Sequence, residues 1–211
     1  MPVFRRDGQN ILFIHVPKTG GTSVERMFEA GGFEMLYRDG RTGAGSVNSL
    51  RTVSPQHMHA SLLERTFRLD QFDRIFMLTR EPVARFRSEY GMRNSKGLVR
   101  DAEAVDAWAD KAFKRYRKDP SCFDNHLRPQ SEFYVPGAEV YRLEDGLENV
   151  MADLDSKVGG GLPSETLRAL DRQKTAGVAT HEIEVSEQLQ RRLLVTYHDD
   201  FARFGYALPK V

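Results

Sequence analysis

Cysteine is nearly missing from this sequence. Cys122 is the one example among 211 residues, so no intramolecular disulfide can form and the fold needs no oxidising compartment. Net charge is nearly missing as well. The 31 Lys and Arg are set against 30 Asp and Glu, a formal +1, so no global field recruits nucleic acid or an anionic membrane. Any anion binding must therefore be local. Long hydrophobic runs are also lacking: none approaches the ~20 residues that span a bilayer. Met1 to Asn10 carries Arg5, Arg6 and Asp7 without the apolar stretch of a signal peptide. A cytoplasmic protein is expected, in preference to a catalytic domain cut from its anchor. Internal repeats, low-complexity tracts and dividing linkers are absent too. The 40% hydrophobic and 29% charged residues suit one well-buried core, and a single domain over residues 1–211 is expected.

Asn10 to Val16 (NILFIHV) is a near-continuous apolar run, the pattern of a parallel strand covered on both faces. A helix is predicted after it, capped by Thr22 or Ser23 and ended by Gly31-Gly32. Glu34 to Arg38 suggests a short strand, Asp39 to Pro55 a long loop and Ala60 to Phe67 a helix. Arg74 to Thr79 reads as a second buried strand, with Pro82 opening the next helix. Glu103 to Lys118 is amphipathic: Val105, Trp108, Ala109, Ala112, Phe113 and Tyr116 share one face. Ala138 to Leu143 predicts a third strand, and Leu147, Val150, Met151 and Leu154 the helix after it. Leu189, Leu193, Tyr197 and Phe201 predict one last helix. Alternating strands and helices imply right-handed crossovers and a central parallel sheet flanked by helices, an α/β three-layer fold.

Between the first buried strand and its helix lies Pro17-Lys18-Thr19-Gly20-Gly21-Thr22-Ser23. A glycine-containing turn at a helix N-terminus is an anion site, because backbone N–H groups and the helix dipole point out of the first turn. Gly20 and Gly21 permit close approach, Thr22 and Ser23 offer hydroxyls, and Lys18 offers charge. The lysine precedes the glycines, whereas nucleotide triphosphatases place it after them. The second strand ends in Thr79-Arg80, with no Asp to hold magnesium. Both features count against a kinase.

His15 to Ser23 (HVPKTGGTS) resembles the 5′-phosphosulfate loop of sulfotransferases that use 3′-phosphoadenosine 5′-phosphosulfate (PAPS). Thr79 to Tyr90 (TREPVARFRSEY) is similar to that family's 3′-phosphate motif, an Arg at a strand end and a Ser eight residues on, here Arg80 and Ser88. HMHASLLE, NHLRPQ, YRLEDGLENV and DDFARFGY extend the resemblance from His15 to Tyr206, toward the carbohydrate branch with its 2-O- and 4-O-sulfotransferases. The resemblance implies a P-loop-like fold, PAPS as co-substrate, PAP (the desulfonated nucleotide) as product, a saccharide hydroxyl as acceptor and no required metal. It assigns Lys18, Thr19, Gly20, Gly21, Thr22, Ser23, Arg80 and Ser88 to the nucleotide. The small-molecule branch closes that site with a basic, glycine-rich loop. Lys157 to Gly161 lacks its pattern, and Lys174-Thr175 is the nearest substitute.

An acceptor hydroxyl profits from a general base near neutral pH, and histidine suits that task. Six histidines are present. His15 suits a hydrogen-bonded core role, and His181 and His198 have surface contexts. His57 and His59 resemble the paired histidines of the 2-O-sulfotransferases, of which the second is the base, so His59 is the first choice. Residues two apart face opposite ways in an extended chain, so one of the pair should enter the site. His126, Arg128 and Gln130 form an expected acceptor-contacting element. Two alternatives stand beside a sulfotransferase: a small-molecule kinase of the same fold, and a nucleotide-binding protein without catalysis.

Overall fold

A computed structural model describes residues 2–39, 41, 45–163 and 179–209. Strand β1 (Val3–Arg6) turns into β2 (Gln9–Ile14) through Asp7-Gly8, with φ of 50° and 84°. Two successive positive φ values make a tight hairpin whose twist matches its strands, and Asp-Gly is a favoured pair for it. Helix α1 (Gly21–Ala30), β3 (Glu34–Leu36), α2 (Ala60–Thr66), β4 (Arg74–Thr79) and α3 (Pro82–Arg93) follow. Then come α4 (Ala102–Lys118), β5 (Glu139–Arg142), α5 (Leu147–Lys157), α6 (Glu187–Thr196) and α7 (His198–Phe204).

The strands form one sheet in the order β3-β1-β2-β4-β5. β2 pairs with β4 and β4 with β5 in parallel, with Ile14 opposite Met77 and Leu78 opposite Tyr141. β1 runs antiparallel to both β2 and β3. The expected central parallel sheet is thus present in β2, β4 and β5, and β1 is the strand that runs against its neighbours. The physical reason is the Asp7-Gly8 hairpin, too short for a crossover to a parallel strand.

Alternation along the central strands builds two cores. Ile11 and Phe13 of β2, with Phe76 and Leu78 of β4, pack against Val24, Met27 and Phe28 of α1 and Val150, Met151 and Leu154 of α5. Leu12, Ile14 and Met77 point the other way, toward Phe86 of α3, Phe113 of α4, Leu193 of α6 and Phe201 of α7. Helices thus cover both faces, which explains the near-continuous apolar strands. Burying each such side chain contributes roughly 1.5–3 kcal/mol.

The expected single last helix is two. Tyr197, at φ −113° and ψ 24°, separates α6 from α7. Its hydroxyl donates to Leu127 O at 3.0 Å within the core. The break brings buried Asp200 to the turn at Gln130, where its carboxylate accepts the N–H groups of Gln130 (2.9 Å) and Ser131 (2.7 Å).

Candidate active site

Every crossover returns the chain to the same sheet edge, so the loops after β2, β4 and β5 meet at the strands' C-terminal ends. They surround a cavity of about 580 Å³, within the usual range for small-molecule sites.

The loop after β2 forms the floor. Lys18 is left-handed (φ 71°), as is Gly20 (φ 90°), and Thr19 Oγ1 donates to Val16 O at 2.9 Å. This turn starts α1 at Gly21 with Gly20 as its N-cap and no side-chain cap. The expected cap at Thr22 or Ser23 is thereby corrected: both residues lie inside the first turn, where Gly20 takes the left-handed conformation more easily than any other residue. Gly21 serves a further purpose. A Cβ there would lie 2.2 Å from Nε2 of His15, so the absent side chain is room for an imidazole.

The loop after β4 supplies the second wall. Glu81 caps α3, its carboxylate accepting the N–H groups of Val83 (3.0 Å) and Ala84 (2.6 Å). Arg80 therefore leaves the strand immediately before a fixed helix start. Its own backbone is clamped: its N–H donates to Gln130 Oε1 at 2.9 Å, and Gln130 Nε2 donates to its carbonyl at 2.8 Å. The next N–H, that of Glu81, donates to Glu144 Oε1 at 2.8 Å. Asp200 and Glu144, from the DDFARFGY and YRLEDGLENV segments, thus both act on the position of Arg80. Arg80 and Ser88, on α3, both line the cavity together with Lys18, Thr22 and Ser23. Lys18 Nζ donates to Met92 Sδ, 3.2 Å away on the same helix.

Three histidines line the cavity: His15, His57 and His126. Each has Nδ1 on a carboxylate: His15 on Glu25 (2.7 Å), His57 on Asp124 (2.7 Å) and His126 on Glu89 (2.6 Å). The rings stand edge to face, His57 centred 5.0 Å from His15 and 4.9 Å from His126. Burial holds His57 below the ordinary imidazole value, against the opposing pull of Asp124. Burial lowers His126 too, although Glu89 pulls upward. Burial alone would raise Asp124, but His57 and the N–H of Ser54 more than reverse this. Glu89 behaves likewise, with His126 and Arg93 bringing it to about 2. His57 and His126 are thereby favoured as neutral imidazoles beside ionised carboxylates. In that state these two rings donate through Nδ1 and keep a lone pair on Nε2.

His57, Asp124 and His126 also place one potential metal ligand each within 4.8 Å of one another. Asp124 is committed, however, to His57 Nδ1 and to the Ser54 N–H (2.6 Å), and His126 Nδ1 to Glu89. The cluster fits a hydrogen-bonded histidine pair better than an ion's coordination shell.

A family model described as the sulfotransferase family matches residues 1–207. The chain belongs to the sulfotransferase family. No curated protein and no solved structure matches it.

Of the residues expected in the site of this sulfotransferase, Lys18, Gly20, Gly21, Thr22, Ser23, Arg80, Ser88, His57 and His126 surround the cavity. Thr19 is fully buried beneath it and ties the loop together. His59 is not among the lining residues. It occupies the N-cap position of α2, its Nδ1 3.3 Å from Asn125 Nδ2. Gln130 is fully buried, and its amide is spent on holding the backbone of Arg80. Arg128 ion-pairs with Glu132 and donates to Asn125 Oδ1 at 3.0 Å. Sequence reasoning missed Glu25, Glu89 and Asp124, the partners of the three rings, and placed His15 only in the core. The Gly159 to Gly161 segment follows α5, where Val158 and Gly160 accept hydrogen bonds from Arg6. Lys174-Thr175 lies outside the described residues.

Proposed function

We propose that this sulfotransferase moves the sulfuryl group of PAPS to an acceptor hydroxyl, with His57 as general base in place of His59. One observation carries the reading. Two anion cradles, Lys18 to Ser23 and Arg80 with Ser88, stand at the ends of adjacent parallel strands and share a cavity with His57. PAPS has phosphate at two ends and needs two such cradles. We read β2, the loop and α1 as a P-loop-like unit with its lysine ahead of the glycines. The acceptor we propose is a saccharide, on the resemblance of the HMHASLLE and NHLRPQ segments to the carbohydrate branch.

PAPS, when bound, supplies the sulfuryl group and a phosphate as leaving group. The protein's part is placement and charge. The backbone N–H groups at the start of α1, with Lys18, would hold the phosphosulfate and offset charge on the departing oxygen. Arg80 and Ser88 would hold the 3′-phosphate and so orient the nucleotide for transfer. Neutral His57 takes the acceptor's proton on Nε2.

Calorimetric titration with PAP in EDTA, with magnesium-ATP as comparison, tests the nucleotide. Mass spectrometry of saccharide and other hydroxyl pools incubated with PAPS tests the transfer. Metal-independent PAP binding and an acceptor gaining a sulfuryl group are expected. Preference for magnesium-ATP would install the kinase reading, and PAP binding without transfer to any pool the non-catalytic one.

A further inference from the structure

We infer that Asp124 is the positioning residue for the proton transfer: it fixes His57 with the proton on Nδ1 and the lone pair of Nε2 toward the cavity. This rests on the assignment of His57 as base. Asp124 does not line the cavity; it stands behind His57. One carboxylate oxygen accepts from His57 Nδ1 at 2.7 Å, the other from the N–H of Ser54 at 2.6 Å. Asn125 adds a third tie, its Nδ2 donating to His57 O at 2.8 Å. Two neighbouring residues thus grip the turn from Ser54 to His57 at both ends. An ionised carboxylate can only accept, so the ring proton must sit on Nδ1.

The backbone around Asp124 points to the same role. Phe123, Asp124 and Asn125 have φ of 56°, 59° and 63°, three consecutive left-handed residues without a glycine. L-residues visit that region singly and at a cost, so a run of three persists only where its surroundings over-determine it. Those surroundings are present. Arg93 Nη2 donates to Phe123 O at 3.1 Å, and the guanidinium groups of Arg93 and Arg115 each stand 4.8 Å from the centre of the Phe123 ring. Asn125 is fully buried and accepts from Arg128 Nε at 3.0 Å. Arg93 also pairs with Glu89, the carboxylate behind His126. The strained run is the arm that brings Asp124 to His57.

Asp124→Asn isolates this role, because its amide keeps an oxygen for Ser54 while offering an N–H to the ring. The imidazole must then accept through Nδ1 and carry its proton on Nε2, which disarms it as a base. The measurement is the ¹⁵N spectrum of the histidine-labelled full chain, with His57 assigned through His57→Gln, together with kcat, acceptor KM and PAP affinity. In the unaltered protein His57 should be protonated on Nδ1. In Asp124→Asn the tautomer should invert and kcat fall by about 10²–10⁴, the range of a positioned base, with PAP affinity and KM within about twofold. Asp124→Glu should restore the tautomer and part of kcat. A proton on Nε2 in the unaltered protein, or full turnover in Asp124→Asn, overturns the inference. The tautomer of the unaltered protein decides the matter if Asp124→Asn does not fold. Failure of the unaltered protein to transfer a sulfuryl group overturns instead the proposed function, and the spectrum is readable without turnover.

Discussion

The two halves of the cavity are built in opposite ways. The glycine-loop side is one continuous segment, His15 to Ser23, shaped by its own turn and by the start of α1. The histidine side is gathered from three distant places: His57 before α2, Asp124 and His126 after α4, and Glu89 on α3. A site carried by local conformation keeps its shape as long as the strand and helix on either side are packed. A site gathered from distant segments depends on each hydrogen bond that crosses between them. Damage to the first half should therefore show in nucleotide binding, and damage to the second in turnover.

The largest effect should come from His57→Ala. Turnover should fall by about 10²–10⁴ with PAP affinity nearly unchanged, while His59→Ala should cost less than about tenfold. Steady-state rates with PAP titration check this. A full loss in His59→Ala with normal turnover in His57→Ala would return the base to His59.

Gly21→Ala tests whether the halves are independent. The added Cβ would meet a ring held by Glu25 and packed against Phe13 and His57. Overpacking of this kind costs about 1–3 kcal/mol, and PAP binding should weaken as the loop shifts. Adding His15→Ala removes the obstacle, so the double variant should regain PAP affinity, a non-additive result that calorimetry reads directly. Additive losses would mean that His15 does not set the loop.

Arg80→Ala should weaken PAP by about tenfold or more while leaving adenosine 5′-phosphosulfate, which has no 3′-phosphate, nearly unaffected. Equal losses for the two ligands would remove Arg80 from the 3′-phosphate. It would also leave the clamp from Asp200 through Gln130 to Arg80 without a functional purpose.

The smallest effect is on stability against pH. His57 and His126 have folded values below the unfolded value of about 6.5, so below that pH the unfolded chain binds protons that the folded chain does not. Stability should fall on acidification, by less than ~1 kcal/mol per ring between pH 7 and pH 6. The lowered carboxylates of Glu25, Glu89 and Asp124 add their losses only below their unfolded values near pH 4. Denaturant unfolding at several pH values measures this. The carboxylate variants Glu89→Gln and Asp124→Asn should flatten the lower window first.

Much of this was legible in the residues, and the failures have physical causes. β2, β4, α1, α3, α4 and α5 were readable because apolar periodicity follows from burial on one or two faces. β1 was overlooked although Asp7-Gly8, between alternating residues, is a hairpin signal. The last helix was read as continuous because Leu189, Leu193, Tyr197 and Phe201 keep a helical spacing across a break that only the docking of Tyr197 reveals. His59 was preferred to His57 on the resemblance alone, since an extended chain faces them oppositely without saying which face meets the cavity. Gln130 resembled a contact residue because a buried amide and a substrate-binding amide are the same letter.

The sequence by itself determined the central strands, the glycine loop after β2 and the positions of Arg80 and Ser88 beside it. Those features depend on neighbours a few residues away, and local propensity records them. Tertiary structure alone decided that Glu25, Asp124 and Glu89 stand behind three imidazoles, and that Gly21 is a space for His15. Hydrogen bonds between residues 37 and 67 positions apart, as in Glu89 with His126 and His57 with Asp124, leave no periodic trace in the chain. Packing must first bring such residues together before their chemistry can be read.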